Sequence, residues 1–346
     1  MVTIDAALAL PYEAGGLTRR TRTPMTPAYT IRPYASGDEA RLLETWNAAM
    51  WADPIDAATW RGRYLLDPNF DPRTCPVAID TGTGEVVGYL LAFANRSAAD
   101  RTPTGPDAWV VGVGVGPVHR RRGVGRALHE HLVAHLRGYG IEHIHYGPYV
   151  PGYLTPGVDE AAYPEAIAFL SAMGAKTQSR PLSMKASLTG YRSNPETIDI
   201  ARNLGGEGIT VRAVALTDIL PLLDFLDRHF PHWRGDAAGV LHDLVDGDAR
   251  AVTMHLAVDG EAIVGYAQSR AERFGPFGVN EAYRGRGIGA LLLSQTLLAM
   301  RTRGYHCAWF MWTSDRAAKL YRQHGFEEVR RFSLMTSTIQ PEGNLE

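Results

Sequence analysis

Two short stretches of the chain carry residues whose types and spacing suit an anion. Arg120-Arg121-Arg122-Gly123-Val124-Gly125 and Arg284-Gly285-Arg286-Gly287-Ile288-Gly289 share the pattern Arg-x-x-Gly-x-Gly, each between an apolar run and a long amphipathic segment. Glycines let a backbone turn its N–H groups toward one point, and a helix amino end adds partial positive charge. A phosphate or pyrophosphate is therefore the expected ligand. Local sequence excludes two phosphate-binding classes. The only Lys-Thr, Lys176-Thr177, lacks the preceding glycine of a P-loop; Gly285-Arg286-Gly287-Ile288-Gly289 is misspaced for a dinucleotide turn, with Trp309 where the ribose-binding acid would stand. The pyrophosphate of coenzyme A remains.

The elements that must position these loops occur twice. Tyr29-Thr30-Ile31-Arg32-Pro33 followed by amphipathic 39–50, and Ile209-Thr210-Val211-Arg212-Ala213 followed by 218–230, each predict a strand and then a helix, offset by 180 residues. Hairpins are predicted over 77–89 and 255–266, their Gly-Tyr pairs offset by 177 residues. After each loop a helix is expected, stopped by Gly138 and Gly140 in one copy and by Gly304 in the other. Two copies of one fold follow, at 29–190 and 209–346, with polar, glycine-containing 191–208 as a linker and 1–28 as a tail or packed arm.

In this order and with these loops, the sequence resembles the GNAT superfamily of N-acetyltransferases, whose acyl-coenzyme A signature is Gln/Arg-x-x-Gly-x-Gly/Ala after the fourth strand. The resemblance implies an α/β fold, a mixed sheet flanked by helices, in tandem. It implies acetyl-CoA as cosubstrate and no metal. Coenzyme-binding residues would be Phe277, Val279, Arg284, Gly285, Arg286, Gly287, Ile288 and Gly289 in the second copy, and Val115, Arg120, Arg121, Arg122, Gly123, Val124 and Gly125 in the first. Tyr321, four residues before the closing Gly325, takes the place from which a family tyrosine protonates the departing thiolate. The first copy has Leu170 there, ahead of Gly174, so chemistry is expected in the second half. Glu272, twelve residues before Arg284, is the candidate general base, and Pro276, without an N–H, is expected to mark a bulge or the irregular start of the fourth strand. The tandem layout further resembles mycothiol synthase and two-domain glucosamine or glucosaminide N-acetyltransferases. That implies acetyl transfer to a primary amine of a small molecule, with an amino sugar as one acceptor. The alternatives are a peptide or protein N-acetyltransferase and a non-catalytic acyl-CoA sensor. The proline- and tyrosine-rich 147–157 reads either as a rigid surface loop or as the wall of an acceptor pocket.

Composition limits what else the 346 residues can do. A net charge of −2 gives no footprint for nucleic acid or an anionic membrane. Cys75 and Cys307 alone offer neither a disulfide framework nor a cysteine-rich zinc site. With no apolar run of membrane length and no basic region ahead of the Ala-Leu stretch near Met1, a cytoplasmic protein is expected. His129, His131 and His135 share one helix and are expected to be solvated rather than to bind metal.

Overall fold

The computed structural model describes residues 28–150, 153–247 and 251–340. The N-terminal half runs β1 (Tyr29–Pro33), α1 (Glu39–Ala49), the single turn α2 (Ala57–Thr59), β2 (Pro76–Asp80), β3 (Val86–Arg96), β4 (Pro103–Val115), α3 (Val124–Arg137), β5 (His143–Tyr146), β6 (Val158–Asp159), α4 (Pro164–Ala172), β7 (Lys176–Ser179) and β8 (Leu182–Ser187). The C-terminal half follows with α5 (Pro195–Gly206), β9 (Ile209–Ala213), α6 (Ile219–His229), α7 (Arg234–Val245), β10 (Val252–Asp259), β11 (Ala262–Arg270), β12 (Arg273–Val279), α8 (Ile288–Thr302), β13 (Cys307–Thr313), α9 (Asp315–Gln323) and β14 (Phe326–Thr338).

The copies match in local detail. Arg32 donates to both carboxylate oxygens of Asp38 at 2.6 and 2.7 Å, and Asp38 accepts the Ala35 N–H, so the first strand is locked to the first helix. Arg212, Asp218 and Ala215 repeat this at 2.6 and 2.7 Å. Each fourth strand runs antiparallel to the third and parallel to the fifth, β4 with β5 and β12 with β13.

The halves are not separable along the chain, because they exchange strands. The sheet order is β1-β2-β3-β4-β5-β14-β8-β13-β12-β11-β10-β9, with β7 beside β14. β8, from the N-terminal half, lies between β13 and the start of β14, with Met184 opposite both Phe310 and Glu328. The end of β14 in turn lies between β5 and β7, Met335 opposite Tyr146 and Thr177. Each half therefore has one strand order, completed by a strand from the other. Where the halves meet, Arg330 reaches Asp53 at 2.6 and 2.8 Å and Asp159 at 2.5 Å, both carboxylates nearly buried, while the Tyr163 hydroxyl donates to Asp53 at 2.9 Å.

Two expectations need correction. The stretch 191–208, expected as a linker, holds α5, capped by the Asn194 side chain accepting the Thr197 N–H at 2.7 Å, with Leu204 buried and Pro195 as its first residue. His129 is not solvated: it is buried, its Nε2 lies 2.7 Å from the Tyr146 hydroxyl, and desolvation lowers its pKa. The stretch expected as a tail or arm lies, up to residue 27, outside the described residues.

Candidate functional site

Both glycine loops take the same backbone shape. Gly123 (φ 84°) and Gly287 (φ 85°) cap their helices in the left-handed conformation that favours glycine. The first intrahelical bonds are Ala127 N–H to Gly123 C=O at 3.0 Å and Leu291 N–H to Gly287 C=O at 3.1 Å. The N–H groups of Ile288, Gly289 and Ala290 thus have no helical acceptor at the amino end of α8, an arrangement that suits an anion.

In the C-terminal half this end opens into a groove of about 810 Å³. The sequence-predicted Phe277, Val279, Arg284, Gly285, Arg286, Gly287, Ile288, Gly289 and Tyr321 all line it. The groove exists because β12 and β13 pair only at Arg273 and Trp309 and then part. At the parting, β12 bulges: Ala267 faces Phe277 and Ser269 faces Phe274, leaving Gly275 and Pro276 opposite Gln268 alone. The two loop arginines hold partners within the chain. Arg284 pairs with Glu281 at 3.0 Å, and Arg286 pairs with Glu207 after α5 and covers the Tyr283 ring, its centre 5.4 Å away.

Tyr321 is 7% exposed and sits among Phe274, Phe277, Phe310 and Phe326, the nearest ring centroid 4.4 Å away. Burial pushes its hydroxyl above the usual tyrosine range, so it keeps its proton at neutral pH. Glu272 is placed differently from its expected role. Its carboxylate is not on the groove; it accepts the N–H groups of His306 and Cys307, both at 3.1 Å, and the Cys307 thiol at 2.9 Å. These donors hold it below its ordinary pKa, the thiol contributing most, and it staples the start of β13 to β12 instead of serving as a free base.

The 147–157 insertion divides its tyrosines. Tyr149 is core: it stacks on Phe93 at 4.5 Å and donates to Asp67 at 2.9 Å. Tyr153 crosses to the C-terminal half, edge-on to the half-exposed Trp312 with centroids 6.1 Å apart. In the first loop, Arg120 Nε donates to the Val115 carbonyl at 3.2 Å, Arg121 is itself left-handed at φ 61°, and Arg122 is exposed. Gly125 lies against Phe169 and Val115, while Val124 is buried.

Sequence reasoning missed the contributions of α5 (Asn194, Thr197, Ile200) and of Phe230 and Trp233 between α6 and α7. The Asn-Pro-Glu-Thr start of α5 was the available signal. Among the described residues no group of His, Cys, Asp and Glu could hold a metal ion, and no helix is long and apolar enough to cross a membrane.

Comparison with known proteins agrees with this geometry. The Acetyltransferase (GNAT) family model matches residues 41–148, and the Acetyltransferase (GNAT) domain model matches 250–328. Mycothiol acetyltransferase of Thermobispora bispora is 31% identical over 159 residues, 40% of this chain and 52% of that protein. Its Thermobifida fusca counterpart is 33% identical over 116 residues, 32% of this chain and 36% of that protein. The chain thus matches about half or less of each relative's length. Among solved structures, the GCN5-related glucosamine N-acetyltransferase region of a fungal multi-domain GH3 β-N-acetylglucosaminidase superposes with a TM-score of 0.73 at 19% identity, covering 90% of this chain and 38% of that one. A tandem GNAT protein from the clavulanic acid biosynthesis pathway gives a TM-score of 0.58 at 18% identity, covering 91% and 100%. With one family match in each half and a shared tandem fold, the chain belongs to the GNAT acetyltransferases, as a member with two such domains.

Proposed function

We propose that the protein is an N-acetyltransferase moving an acetyl group from acetyl-CoA to a primary amine of a small molecule, with its chemistry in the C-terminal half. The observation that carries this reading is Tyr321, a protonated hydroxyl on the groove that begins at the glycine loop, where the N-terminal half has Leu170. The parted β12 and β13 leave room for an extended pantetheine arm, and the free N–H groups at the start of α8 suit its pyrophosphate. A neutral amine attacks the acetyl carbonyl. The tetrahedral oxyanion collapses with loss of thiolate, to which Tyr321 gives its proton. An ordinary thiol has a pKa of about 8.5 and an ordinary tyrosine about 10, and burial raises Tyr321 further, so its proton is held until a thiolate forms beside it and the transfer is uphill by more than that difference.

The names of the relatives, mycothiol acetyltransferase and a glucosamine N-acetyltransferase region, favour a small acceptor with an amino sugar among the first to try. The composition fits a cytoplasmic enzyme without nucleic-acid or membrane partners. The test is release of coenzyme A thiol from acetyl-CoA against glucosamine, kanamycin, spermidine and a peptide with a free amino terminus. Turnover with a small amine is expected. Turnover with the peptide alone would make it a peptide acetyltransferase, and binding without turnover would make it a sensor.

A further inference from the structure

We propose that Gln268 positions the acceptor amine, an inference that rests on the acetyltransferase reading above. Gln268 lies on β11 directly opposite the Gly275–Pro276 bulge, where β12 turns away from β13. Its cross-strand partner is Met254, and Tyr266 pairs in the same register with Leu256. Met254, Leu256 and Tyr266 belong to the core beneath α6 and α7, so Gln268 projects from that face of the sheet. The alternate residue, Ala267, belongs with Tyr321 to the core beneath α8. Gln268 and Tyr321 therefore flank one bulge from opposite faces.

The Gln268 side chain is 3% exposed, and its Oε1 has no hydrogen-bond partner among the described residues. A buried amide oxygen without a donor is costly; Gln268 does not itself line the groove, but it lies across the strand from the bulge beside groove-lining Phe277, so its missing donor points to a ligand reaching past that bulge. Comparison of the copies sharpens this. The Tyr266 hydroxyl is also unpartnered, but so is that of its counterpart Tyr89, so that orphan belongs to the fold. The counterpart of Gln268 is Leu91, fully buried. The polar atom is thus found only in the half that also has Tyr321 in place of Leu170.

The arrangement separates the two ends of the acyl transfer. On one face Tyr321 meets the departing sulfur; on the other the Gln268 carbonyl accepts an N–H of the incoming amine and turns its lone pair toward the acetyl carbon. The C–N bond forms and the C–S bond breaks. The thiolate takes the Tyr321 proton, the surplus amine proton leaves to water and water reprotonates the tyrosine. Gln268 exchanges no proton.

The test compares wild type, Q268L and Q268E on whichever of glucosamine, kanamycin, spermidine or the peptide the wild type acetylates. Q268L copies the N-terminal half and removes an unpaired buried oxygen, so it should melt at the same temperature or higher, and its affinity for acetyl-CoA by calorimetry should stay within about twofold of wild type. Its kcat/KM for the amine should fall roughly 10–100-fold, the size of one lost, well-placed hydrogen bond. Q268E, which keeps an accepting oxygen, should recover part of that loss. Normal amine kinetics in a folded Q268L would overturn the proposal, as would a Q268L that loses melting temperature and acetyl-CoA affinity in step with activity. A wild type that binds acetyl-CoA but acetylates no amine would instead overturn the acetyltransferase reading itself, and this proposal with it.

Discussion

Leu170 and Tyr321 occupy one place in the two halves: each is buried on the last helix, four residues ahead of a left-handed glycine, Gly174 at φ 89° and Gly325 at φ 83°. Only the tyrosine can give a proton. It makes no hydrogen bond to a described residue, so Tyr321→Phe should leave the melting temperature nearly unchanged. General acid catalysis is worth roughly 10²–10⁴-fold, and kcat should fall by that order with little change in acetyl-CoA affinity. Unchanged turnover would move the acid elsewhere.

Gly287→Val should harm both fold and binding. A Cβ there would lie 2.7 Å from Ile200 of α5, and φ 85° is unfavourable for any branched residue. Adding Ile200→Ala should restore part of the melting temperature but not the acetyl-CoA affinity, because the valine still obstructs the anion site. Gly123→Val has only the Tyr29 hydroxyl near, at 3.4 Å, so it should lower stability through φ while leaving C-terminal turnover intact. Calorimetry and thermal melts on these variants separate the two effects.

Arg330→Met should be among the most destabilising single changes. It would leave Asp53 and Asp159 buried beside each other without their cation, a loss of about 3–5 kcal/mol for a broken buried pair. Urea unfolding reads the size directly. A change under about 1 kcal/mol would mean that the network is solvated in solution.

His255 gives stability a pH dependence. Burial, with Arg303 nearby, lowers its pKa to about 4, and its Nδ1 lies 3.1 Å from the Thr296 hydroxyl. The unfolded chain takes up this proton below about pH 6.5 while the folded one resists it. The unfolded state therefore binds more protons, and stability falls as pH drops from about 6.5 toward 4. Melting curves over that window should drop more steeply for wild type than for His255→Gln.

Local signals were the legible part of the fold. The strand-then-helix starts at 29–50 and 209–230 repeat 180 residues apart, and the glycine loops declare their conformation by composition. The place of Tyr321 on the groove was readable because its distance ahead of Gly325 fixes its position on α9. The place of Glu272 off the groove was not legible, because its environment is made by the amide groups of His306 and Cys307, which no spacing rule connects to it. Gln268 was invisible for a similar reason: its meaning depends on a bulge in the neighbouring strand and on which face of the sheet is filled by α6 and α7. The strand exchange escaped because β8 and β14 carry the same apolar alternation whichever sheet they enter.

That exchange ties the protein to the order in which it is made. The Tyr146 hydroxyl meets the Ser337 hydroxyl at 3.2 Å, 191 residues further along the chain. A nascent N-terminal half must therefore wait with β5 and β7 unjoined, two open strand edges of the kind that invite pairing with a neighbouring chain, until nearly the whole C-terminal half has been synthesised. Completion of the first sheet therefore cannot precede synthesis of β14, the same strand that seats beside β8. A ribosome stalled before Phe326 would hold two incomplete sheets, not one finished domain and one unfinished one.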